Sequence, residues 1–543
     1  MSTTTPLRPV RTSTTRVERK WWQGAAIYQV YPHSFADSNG DGIGDLRGIT
    51  EHLDHIASLG VAALWLSPFF TSPMKDFGYD IADFTDVDPI FGTLADFDCL
   101  IERAHALQLR VIIDQVFSHT SDQHAWFRES RSSRDSEHAD WYVWADPKPD
   151  GSPPSNWQSV FGGPAWAWDA RRGQYFLHNF LAEQPDLNVH NPAVQDALLS
   201  CARFWLDRGV DGFRLDAINY LMHDPALRDN PPAPANHRPR TRPIDFQLPV
   251  FNKSHADIPR FIERIREVVD RYADRFTVAE VGGVNSEAEM KLFISGNARF
   301  HTAYGFNFLH ADRLTPALVE RAINAWPPTE GGCPSWAFSN HDAPRAVTRW
   351  ARAEDRAAMA RLTVLLLACM RGNIFIYQGE ELGLPQAPIA FDQLRDPEAI
   401  ANWPLTLGRD GARTPMPWVA NHSPPARLKP WLPIPAEHLS LAADVQERDS
   451  DSQLAYTRRV LALRKRSEAL ATGTIRVLEA SESILAFERS TAGQTLLCVF
   501  NLSAEARSWQ PPERARWRII ERAGAVGDWM FPALSGAVAE GED

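Results

Sequence analysis

Cysteine, excess basic charge and long apolar runs are all scarce in this chain, and each shortage excludes a class of protein. Five cysteines are scattered over 543 residues with no C-x-x-C pair, so neither a disulfide framework nor a cysteine zinc site is expected. The net charge is −12, which argues against nucleic acid or an anionic membrane surface as a partner. The most apolar helix-like run, residues 364–370, is far shorter than the roughly 20 residues that cross a bilayer.

The first twenty residues also lack something, namely the apolar stretch of a signal peptide. They are rich in Ser, Thr and Arg. We therefore expect residues 1–20 to be a disordered tail and the protein to be cytoplasmic, with no membrane partner.

What the chain does have is enough apolar residues for a large core. Hydrophobic residues make up 44% of the sequence, which excludes global disorder. The length exceeds the roughly 100–200 residues of an ordinary domain, although α/β barrels with insertions are larger. Nineteen tryptophans suit stacking on sugars, but a Trp-rich core is the simpler interpretation.

Seven short apolar runs, each followed by polar or acidic residues, alternate with amphipathic helical patterns. Such runs are typical of strands buried on both faces of a parallel sheet. The alternation predicts an α/β fold in which eight βα units close into a (β/α)₈ TIM barrel, with the active site at the carboxyl ends of the strands. The runs are residues 26–30, 61–66, 110–113, 212–215, 276–279, 335–338 and 373–377.

Three stretches interrupt this rhythm and predict the domain organisation. Residues 119–190, dense in Trp, Pro and Gly, predict a subdomain inserted after strand 3. The Pro-rich residues 382–440 predict an insertion after strand 8, and short β-like runs predict a C-terminal antiparallel β domain over residues 471–543. The catalytic barrel is then assigned to residues 21–118 and 191–470.

Three acids, Asp216, Glu280 and Asp342, follow predicted strands, so closing the barrel would bring them together. Arg214 faces the same side of its strand as Asp216, and its guanidinium would keep that carboxylate ionised. The apolar run before Glu280 would favour a protonated acid. Two such carboxyls about 5–5.5 Å apart are what a retaining glycosidase uses. Helix caps or structural ion pairs are the alternative interpretation of the same acids.

Four segments around these residues resemble glycoside hydrolase family 13, the α-amylase family. Their order and spacing are specific, and the resemblance covers roughly residues 21–543. One position departs from the family pattern, because Ser118 stands where Asn is usual. The segments are residues 114–119 (DQVFSH), 212–216 (GFRLD), 277–280 (TVAE) and 339–342 (SNHD).

The resemblance implies a division of labour among the acids. Asp216 would be the nucleophile that forms a covalent β-glucosyl-enzyme, and Glu280 would donate and then accept the proton. Asp342 would bind sugar hydroxyls and stabilise the transition state. Further contacts to the sugar or to the nucleophile are implied for Arg214, His119 and His341.

Two more segments, residues 76–80 (DFGYD) and 408–418 (GRDGARTPMPW), resemble exo-acting α-glucosidases and oligo-1,6-glucosidases. By that resemblance Asp76 and Arg413 pair and close the pocket around the terminal glucose. A closed pocket admits only a chain end. The enzyme would therefore remove one glucose at a time.

The same resemblance suggests how the glucose is held and which bond is cut. Tyr79 would stack on the sugar ring, and Phe161 and Phe180 would line the pocket. The small residue Ala217 after the nucleophile resembles α-1,4-preferring enzymes, so short α-1,4-glucosides such as maltose are the expected substrates. Aromatic residues near the acceptor site favour glucosyl transfer to alcohols or phenols.

Two rival readings remain. A non-catalytic relative on the same barrel, like the heavy chains of amino-acid transporters, is disfavoured because the three acids are intact. A sucrose-cleaving enzyme, or an isomerase of the isomaltulose or trehalose synthase type, would carry the same acids. It would differ in its acceptor-site loops.

The loop over residues 37–45 places oxygen ligands at alternating positions, as a hard cation requires. It begins like an EF-hand, but the twelfth position is Gly48, which excludes a full EF-hand. The resemblance implies that this loop holds a structural Ca²⁺ or Mg²⁺. A metal-free Asp/Gly turn is the alternative. No cofactor is expected for catalysis. The candidate ligands are Asp37, Asn39, Asp41, Asp45 and the carbonyl of Ile43.

Overall fold

The structure is a computed structural model. It describes residues 19–235, 240–283, 285–327, 332–405, 408–421, 429–513 and 516–542. The predicted disordered tail, residues 1–20, lies outside the described residues except for its last two positions. Within the described ranges, no helix has both the length and the apolar character needed to traverse a bilayer.

Eight parallel strands close into a barrel. Most of their residues are buried, because side chains fill the interior and helices cover the outside. The hydrogen-bonded order is β1-β8-β7-β6-β5-β4-β3-β2, and β1 pairs with both β2 and β8. The predicted (β/α)₈ fold is therefore confirmed. The strands are β1 (Ala26–Val30), β2 (Ala63–Leu66), β3 (Arg110–Gln115), β4 (Gly212–Leu215), β5 (Phe276–Val281), β6 (Thr302–Gly305), β7 (Cys333–Ala337) and β8 (Asn373–Tyr377).

Strand β6 is the one that the apolar runs did not reveal. Its sequence, Thr-Ala-Tyr-Gly, has no continuous apolar stretch. It is a strand because it pairs with β5 on one side and β7 on the other. Tertiary pairing decides its structure, since the local pattern is too short to do so.

Helices follow each strand and form the outer layer. Their starts carry capping residues, such as Thr93, whose side chain forms a capping box with Asp96, and Asn191 before Pro192. The main helices are Leu53–Ser58, Leu94–Ala106, Pro192–Asp207, Ile258–Val269, Ser286–Phe293, Pro316–Asn324, Arg356–Cys369 and Gln453–Arg466. Shorter ones are Pro32–Phe35, Leu46–Glu51, Ala125–Ser130, Ala346–Trp350, Pro397–Asn402, Ala436–Ser440, Ala443–Gln446 and Glu468–Thr472.

An inserted unit occupies the excursion between β3 and the helix Pro192–Asp207. It holds a three-stranded antiparallel sheet of Trp144–Ala145, Gln174–Leu177 and Trp166–Asp169, with Gln174–Leu177 in the centre. A small core of its own includes Trp157 and Trp166. After this unit the chain returns to the barrel at the helix Pro192–Asp207. The limits 119–190 stay a prediction.

A five-stranded antiparallel sheet ends the chain, as the fold-class prediction required. Its hydrogen-bonded order is β9-β10-β11-β13-β12. Buried Arg489 of β10 fastens this sheet to the barrel by donating to the Cys369 carbonyl at the end of a barrel helix (Nη1–O 2.5 Å). The strands are β9 (Thr474–Ala480), β10 (Ile484–Thr491), β11 (Gln494–Asn501), β12 (Arg516–Ala523) and β13 (Ser535–Glu542).

The predicted insertion after strand 8 contains no strand in its described part. It consists of turns and of the helices Pro397–Asn402 and Ala436–Ser440. Residues 406–407 and 422–428 lie outside the described residues. The limits 382–440 stay a prediction, but the segment supplies two arginines to the site below.

Candidate active site

One buried arginine stands at the centre of three carboxyls at the carboxyl ends of neighbouring strands. Arg214 Nη1 lies 2.7 Å from Asp114 Oδ1 and 2.5 Å from Asp216 Oδ1, and Nη2 lies 2.5 Å from Glu280 Oε1. Strand register explains the meeting, because Asp114 is paired with Arg214 across β3 and β4. Asp114, Arg214, Asp216 and Glu280 are called the acid cluster below.

Glu280 does not have the apolar surroundings predicted for it. Besides Arg214, it accepts hydrogen bonds from the Tyr304 hydroxyl (3.0 Å to Oε1) and the Ala217 backbone N–H (3.1 Å to Oε2). Arg214 contacts both working acids, so it cannot by itself make one ionised and the other protonated. Burial does favour the protonated form of Glu280, as predicted, because it raises the pKa of this carboxyl to about 7. The prediction that Arg214 keeps Asp216 ionised by contrast is wrong, because burial outweighs the guanidinium there as well and raises the pKa of Asp216 to about 7.

Tyr304 is a site residue that the sequence did not reveal. Its hydroxyl accepts from Arg214 (Nε 3.1 Å, Nη2 2.9 Å) and donates to Glu280. It therefore links the guanidinium to the carboxyl that Arg214 also contacts. It lies on β6, the strand with no sequence signal.

Burial has the largest effect on the pKa values of the three carboxyls in the acid cluster. It raises the pKa of Asp216 and of Glu280 to about 7 each, and that of Asp114 to about 6, while the Arg214 charge opposes the rise in every case. Because two close carboxyls titrate as a pair, Asp216 and Glu280 together retain a proton near neutral pH. One ionised and one protonated carboxyl side by side suit the retaining mechanism. Asp216 and Glu280 both contact the Arg214 guanidinium, which is compatible with the short distance between carboxyls that this mechanism needs.

Asp342 behaves in the opposite way. Burial would raise its pKa, but the charges of Arg413 and Arg409, together with the His341 ring beside it, outweigh burial and hold the pKa well below the usual value. Arg413 Nη2 lies 2.8 Å from Asp342 Oδ1. Asp342 is therefore an ionised acceptor for hydroxyl groups at any working pH.

His341 is held as a neutral ring. Burial lowers its pKa to about 3. Gln29 Nε2 lies 2.8 Å from His341 Nδ1, so Nδ1 accepts and Nε2 carries the hydrogen, towards the Tyr79 hydroxyl (2.5 Å) and Asp342 Oδ2 (3.2 Å). The Tyr79 ring stacks on His341 with centroids 5.4 Å apart. One face of Tyr79 is thus occupied, and its stacking on a sugar stays a prediction.

The predicted pair of Asp76 with Arg413 is wrong. Asp76 Oδ1 pairs with Arg409 Nη2 at 2.8 Å. Arg413 instead donates to Asp342 and, through Nε, to the His341 carbonyl (2.7 Å). Both arginines flank the same turn, Asp410–Ala412, and only the packing of distant segments decides which acid each one meets.

Arg409 is the second functional candidate that sequence reasoning missed, although it stands in the segment quoted for Arg413. Its guanidinium also pairs with buried Asp396 (2.9 Å) and reaches Asp342 (3.5 Å). Asp76, Asp342, Asp396, Arg409 and Arg413 are called the arginine wall below.

The inserted unit contributes two aromatic rings, Phe161 and Phe180, near the arginine wall; that they line the sugar pocket stays a prediction. The Phe161 ring lies under Arg409, 4.9 Å from the guanidinium carbon, and meets Phe180 edge-on at 6.0 Å. The Phe180 ring also contacts the His119 ring, with centroids 5.1 Å apart. These residues form a connected aromatic border beside the arginine wall.

His119 is held from both ring nitrogens. Nδ1 contacts the Ser118 hydroxyl (3.0 Å), and Nε2 contacts the Tyr79 carbonyl and the Gln184 amide (3.1 Å each). Burial lowers the pKa of His119 to about 4, so the ring is neutral. Ser118, which replaces the usual Asn, still supports its neighbour. A sugar contact from His119 stays a prediction.

The predicted cation loop is shaped by its own hydrogen bonds. Asp37 accepts from the Gly40 and Gly42 N–H groups (2.6 and 2.8 Å), and Asp41 accepts from Ile43 N–H (2.8 Å). Asp45 caps the helix Leu46–Glu51 through Gly48 N–H (2.7 Å).

Asp37 Oδ2 and Asp41 Oδ1 each accept one hydrogen bond and keep a lone pair, whereas both Asp45 oxygens are engaged by Ser38 or Gly48. The oxygen-only donor set is of the type that suits a hard cation such as Ca²⁺ or Mg²⁺. Among the described residues, His190, His255 and Asp257 are the group whose three ligand atoms all lie within 4.8 Å of one another. The carboxylates of Asp37, Asp41 and Asp45 do not form such a group. The cation itself stays a prediction.

A (β/α)₈ barrel that gathers two coupled carboxyls, a third ionised acid and a wall of arginines defines a retaining glycoside hydrolase. Comparison with known proteins agrees. The family model "Alpha amylase, catalytic domain" matches residues 29–473, and "Maltogenic Amylase, C-terminal domain" matches residues 475–525. The chain belongs to the α-amylase family of glycoside hydrolases. Members of this family retain anomeric configuration and need no cofactor for catalysis.

Similar proteins include enzymes that act on α-glucosides. The chain is 51% identical to "Probable alpha-glucosidase" of Rhizobium meliloti (strain 1021) over 94% of each chain. It is 35% identical to the oligo-1,6-glucosidase of Heyndrickxia coagulans, over 92% of this chain and 95% of the relative. The crystal structure of the α-glucosyl transfer enzyme XgtA superposes with a TM-score of 0.92 and 48% identity, over 97% of this chain and all of that one.

Proposed function

We propose that this protein is an exo-acting α-glucosidase that releases α-glucose from the non-reducing end of short α-1,4-glucosides such as maltose. It also transfers the glucosyl group to alcohols or phenols. The observation that supports an exo-acting enzyme is the arginine wall. Its buried ion pairs are Asp76–Arg409 and Asp342–Arg413, and Asp342 lies close enough to the acid cluster to act on Asp216 and Glu280. We infer that these pairs close the sugar site to a continuing chain and admit only a chain end.

In the first half of the reaction, the Asp216 carboxylate attacks the anomeric carbon while the Glu280 carboxyl gives its proton to the departing glycosidic oxygen. The products are a covalent β-glucosyl ester on Asp216 and a free aglycone. In the second half, Glu280 takes a proton from water or an alcohol, whose oxygen attacks the anomeric carbon and displaces Asp216. Two inversions give retained α configuration.

The electrostatics of the acid cluster support this change of role for Glu280. The Asp216 charge contributes to the raised pKa of Glu280, so Glu280 holds its proton before the reaction. Once Asp216 is an ester, that charge is gone and the pKa of Glu280 falls. Arg214, the Tyr304 hydroxyl and the Ala217 N–H then stabilise the Glu280 carboxylate. The same residue can therefore act as acid and afterwards as base.

Ala217 supports the α-1,4 preference. It adopts a left-handed backbone conformation (φ 40°), which aims its N–H at Glu280 and places its small side chain next to the reacting acids. Resemblance associates a small residue here with α-1,4 preference. The similarity to an α-glucosyl transfer enzyme at 48% identity supports the transfer activity.

Product analysis tests the whole proposal. Enzyme is incubated with maltose, isomaltose, sucrose or trehalose, with and without hydroquinone, and products are followed by chromatography and NMR. We expect maltose to be cleaved with higher kcat/KM than isomaltose, α-glucose to form first, and an α-glucoside of hydroquinone to accumulate. Isomaltulose or trehalulose made from sucrose, or interconversion of maltose and trehalose, would establish the isomerase alternative instead.

We also propose that residues 37–45 hold a structural Ca²⁺ or Mg²⁺ through Asp37, Asn39, Asp41, Asp45 and the Ile43 carbonyl. Gly42 supports this turn, since a Cβ there would lie 2.4 Å from the Lys429 carbonyl oxygen. Chelator-treated protein should have a Tm lower by several degrees at unchanged kcat, with recovery on adding Ca²⁺ or Mg²⁺. The variant Asp41→Asn should lose this recovery. An unchanged Tm after chelation would contradict the cation site and favour a metal-free Asp/Gly turn.

We further propose that the protein works in the cytoplasm. Its five cysteines are all free in the structure, which suits a reducing compartment. Fractionation of cells that express the natural protein, followed by immunoblotting, tests this; recovery outside the cytoplasm would contradict it.

A further inference from the structure

A second cluster of ligand-type side chains lies away from the acid cluster, where the inserted unit rejoins the barrel. His190 precedes the helix Pro192–Asp207, and His255 and Asp257 precede the helix Ile258–Val269. One ligand atom from each residue lies within 4.8 Å of the other two, and all three residues are half-buried. The cluster joins chain segments that are more than sixty positions apart.

We propose that His190, His255 and Asp257 form a binding site for one divalent transition-metal ion of the zinc class. Two imidazoles and a carboxylate are a ligand set that such ions favour over Ca²⁺ or Mg²⁺, and water fills the remaining position. This site differs in donor chemistry from the all-oxygen loop at residues 37–45. It does not depend on the proposed catalytic function.

The distances fit a small ion. Zinc binds imidazole nitrogen and carboxylate oxygen at about 2.0–2.2 Å, so two ligand atoms on one ion lie no more than about 4.3 Å apart. His255 Nδ1 lies 3.7 Å from Asp257 Oδ2. A tetrahedral ion would hold the ligand atoms about 3.4 Å apart. All three atoms lie within 4.8 Å of one another, so the third ligand needs to approach by no more than about 1.4 Å.

One nitrogen of the His190 ring is fixed by a backbone carbonyl, as in many metal-bound histidines. Its Nε2 lies 2.8 Å from the His223 backbone carbonyl, so Nε2 carries the hydrogen and donates. Nδ1 is then the nitrogen with a lone pair. A carbonyl that fixes one ring nitrogen while the other binds metal is a common second-layer arrangement. The His190 ring also meets His255 edge-on, with centroids 4.8 Å apart.

His255 presents a lone pair in the same region. Its Nδ1 accepts a long hydrogen bond from Asp257 N–H (3.2 Å), so this nitrogen carries no hydrogen in the structure. A metal ion is a stronger partner for that lone pair than one long N–H contact. Both imidazoles can therefore bind metal without changing the nitrogen that carries the hydrogen.

The charges around the cluster leave one carboxylate oxygen for the ion. Asp257 Oδ1 pairs with Arg260 (3.0 Å), an exposed ion pair that contributes little. Asp257 Oδ2 faces His255. Asp224 lies close enough to act on His255, but its charge is compensated by Arg228 (2.7 Å). A bound ion would tie the return segment of the inserted unit to the start of a barrel helix, and we expect it to add stability rather than catalysis.

Metal titration of untagged, chelator-treated protein tests the proposal. Ca²⁺ is supplied throughout so that the loop at residues 37–45 is satisfied. We expect isothermal titration to show one Zn²⁺ per chain and the Tm to rise by a few degrees at saturation. His190→Ala and His255→Ala should each weaken Zn²⁺ binding at least tenfold and abolish the Tm rise. Activity on 4-nitrophenyl α-glucoside should change less than twofold.

Two further variants keep the test decisive. Asp257→Asn preserves shape, so it should fold and still bind Zn²⁺ about tenfold more weakly. His138→Asn is the matched control, because His138 pairs with Glu129 in the inserted unit and belongs to no three-ligand group among the described residues. Its Zn²⁺ binding should equal that of the unaltered protein. Absence of stoichiometric Zn²⁺ binding, or equal binding in His190→Ala and His255→Ala, would overturn the proposal.

Discussion

The acid cluster and the arginine wall each contain three buried carboxyls, but the cluster has one guanidinium and the wall has two. In the acid cluster burial prevails, and the pKa values of Asp216 and Glu280 rise to about 7. In the wall, burial also acts first, but arginine charge outweighs it for Asp342 and Asp396, whose pKa values fall. Burial still raises the pKa of Asp76, although Arg409 and Arg413 both oppose the rise. The comparison teaches that the balance between burial and nearby cations at each carboxyl decides which acids exchange protons and which stay charged.

The test with the largest expected effect replaces the proposed nucleophile of the acid cluster, Asp216. Asp216→Asn should lower kcat/KM for maltose by about four orders of magnitude or more, because no covalent ester can form. Steady-state kinetics and a circular dichroism spectrum measure activity and fold. The matched variant Glu280→Gln should regain turnover of 4-nitrophenyl α-glucoside when azide is added, since Asp216 remains. Near-normal turnover in folded Asp216→Asn would contradict the assignment.

The second test changes the single cation of the acid cluster. Arg214→Lys should lower kcat by about 10²–10³-fold, because an ammonium cannot reach three carboxyls as the guanidinium fork does. Arg214 lowers the pKa of Asp216, so weakening it should move the acidic limb of the kcat/KM profile, where Asp216 ionises, to higher pH.

Tyr304→Phe is the control for that shift. It keeps the guanidinium and removes only a neutral hydroxyl that donates to Glu280. We expect its acidic limb to stay in place and its alkaline limb to move to higher pH, because Glu280 loses a donor that favours its charged form. An acidic limb unmoved in Arg214→Lys would show that Arg214 does not set the ionisation of Asp216.

The third test weakens the arginine wall. Arg409→Lys should raise KM for maltose about tenfold while kcat falls less than about threefold, because the wall binds the sugar in ground state and transition state alike. Arg103→Lys, in an exposed ion pair with Asp54 on an outer helix, should leave both constants unchanged. A fall in kcat that matches the fall in kcat/KM would place Arg409 with the reacting acids instead.

The smallest expected effect concerns linkage preference. Ala217→Val should lower the ratio of kcat/KM for maltose to that for isomaltose by several-fold, because the larger side chain fills space beside the glycosidic oxygen. Ala217→Gly is the control. It suits the left-handed backbone at least as well, so the ratio should stay within about twofold. Equal ratios in all three proteins would remove Ala217 from the specificity argument.

Much of this site could be predicted because its residues occur in short local segments. The spacing of apolar runs predicted the barrel, and the segments containing Asp216, Glu280 and Asp342 stood at strand ends. Interactions between distant segments were less predictable. Tyr304 lies on a strand with no apolar run, and its role depends on contact with Arg214, which is ninety positions away.

The sequence by itself determined which acids stand at the strand ends, that the strands alternate with helices, and that a long unit interrupts the barrel after its third strand. Only the tertiary structure decided that Arg214 contacts both working acids, that Asp76 pairs with Arg409 rather than Arg413, and that two histidines and an aspartate meet beside the inserted unit. The physical reason is that strand and helix periodicity operates over a few residues. The pKa and the partner of a buried side chain depend instead on atoms from several segments, and folding alone sets the distances between them.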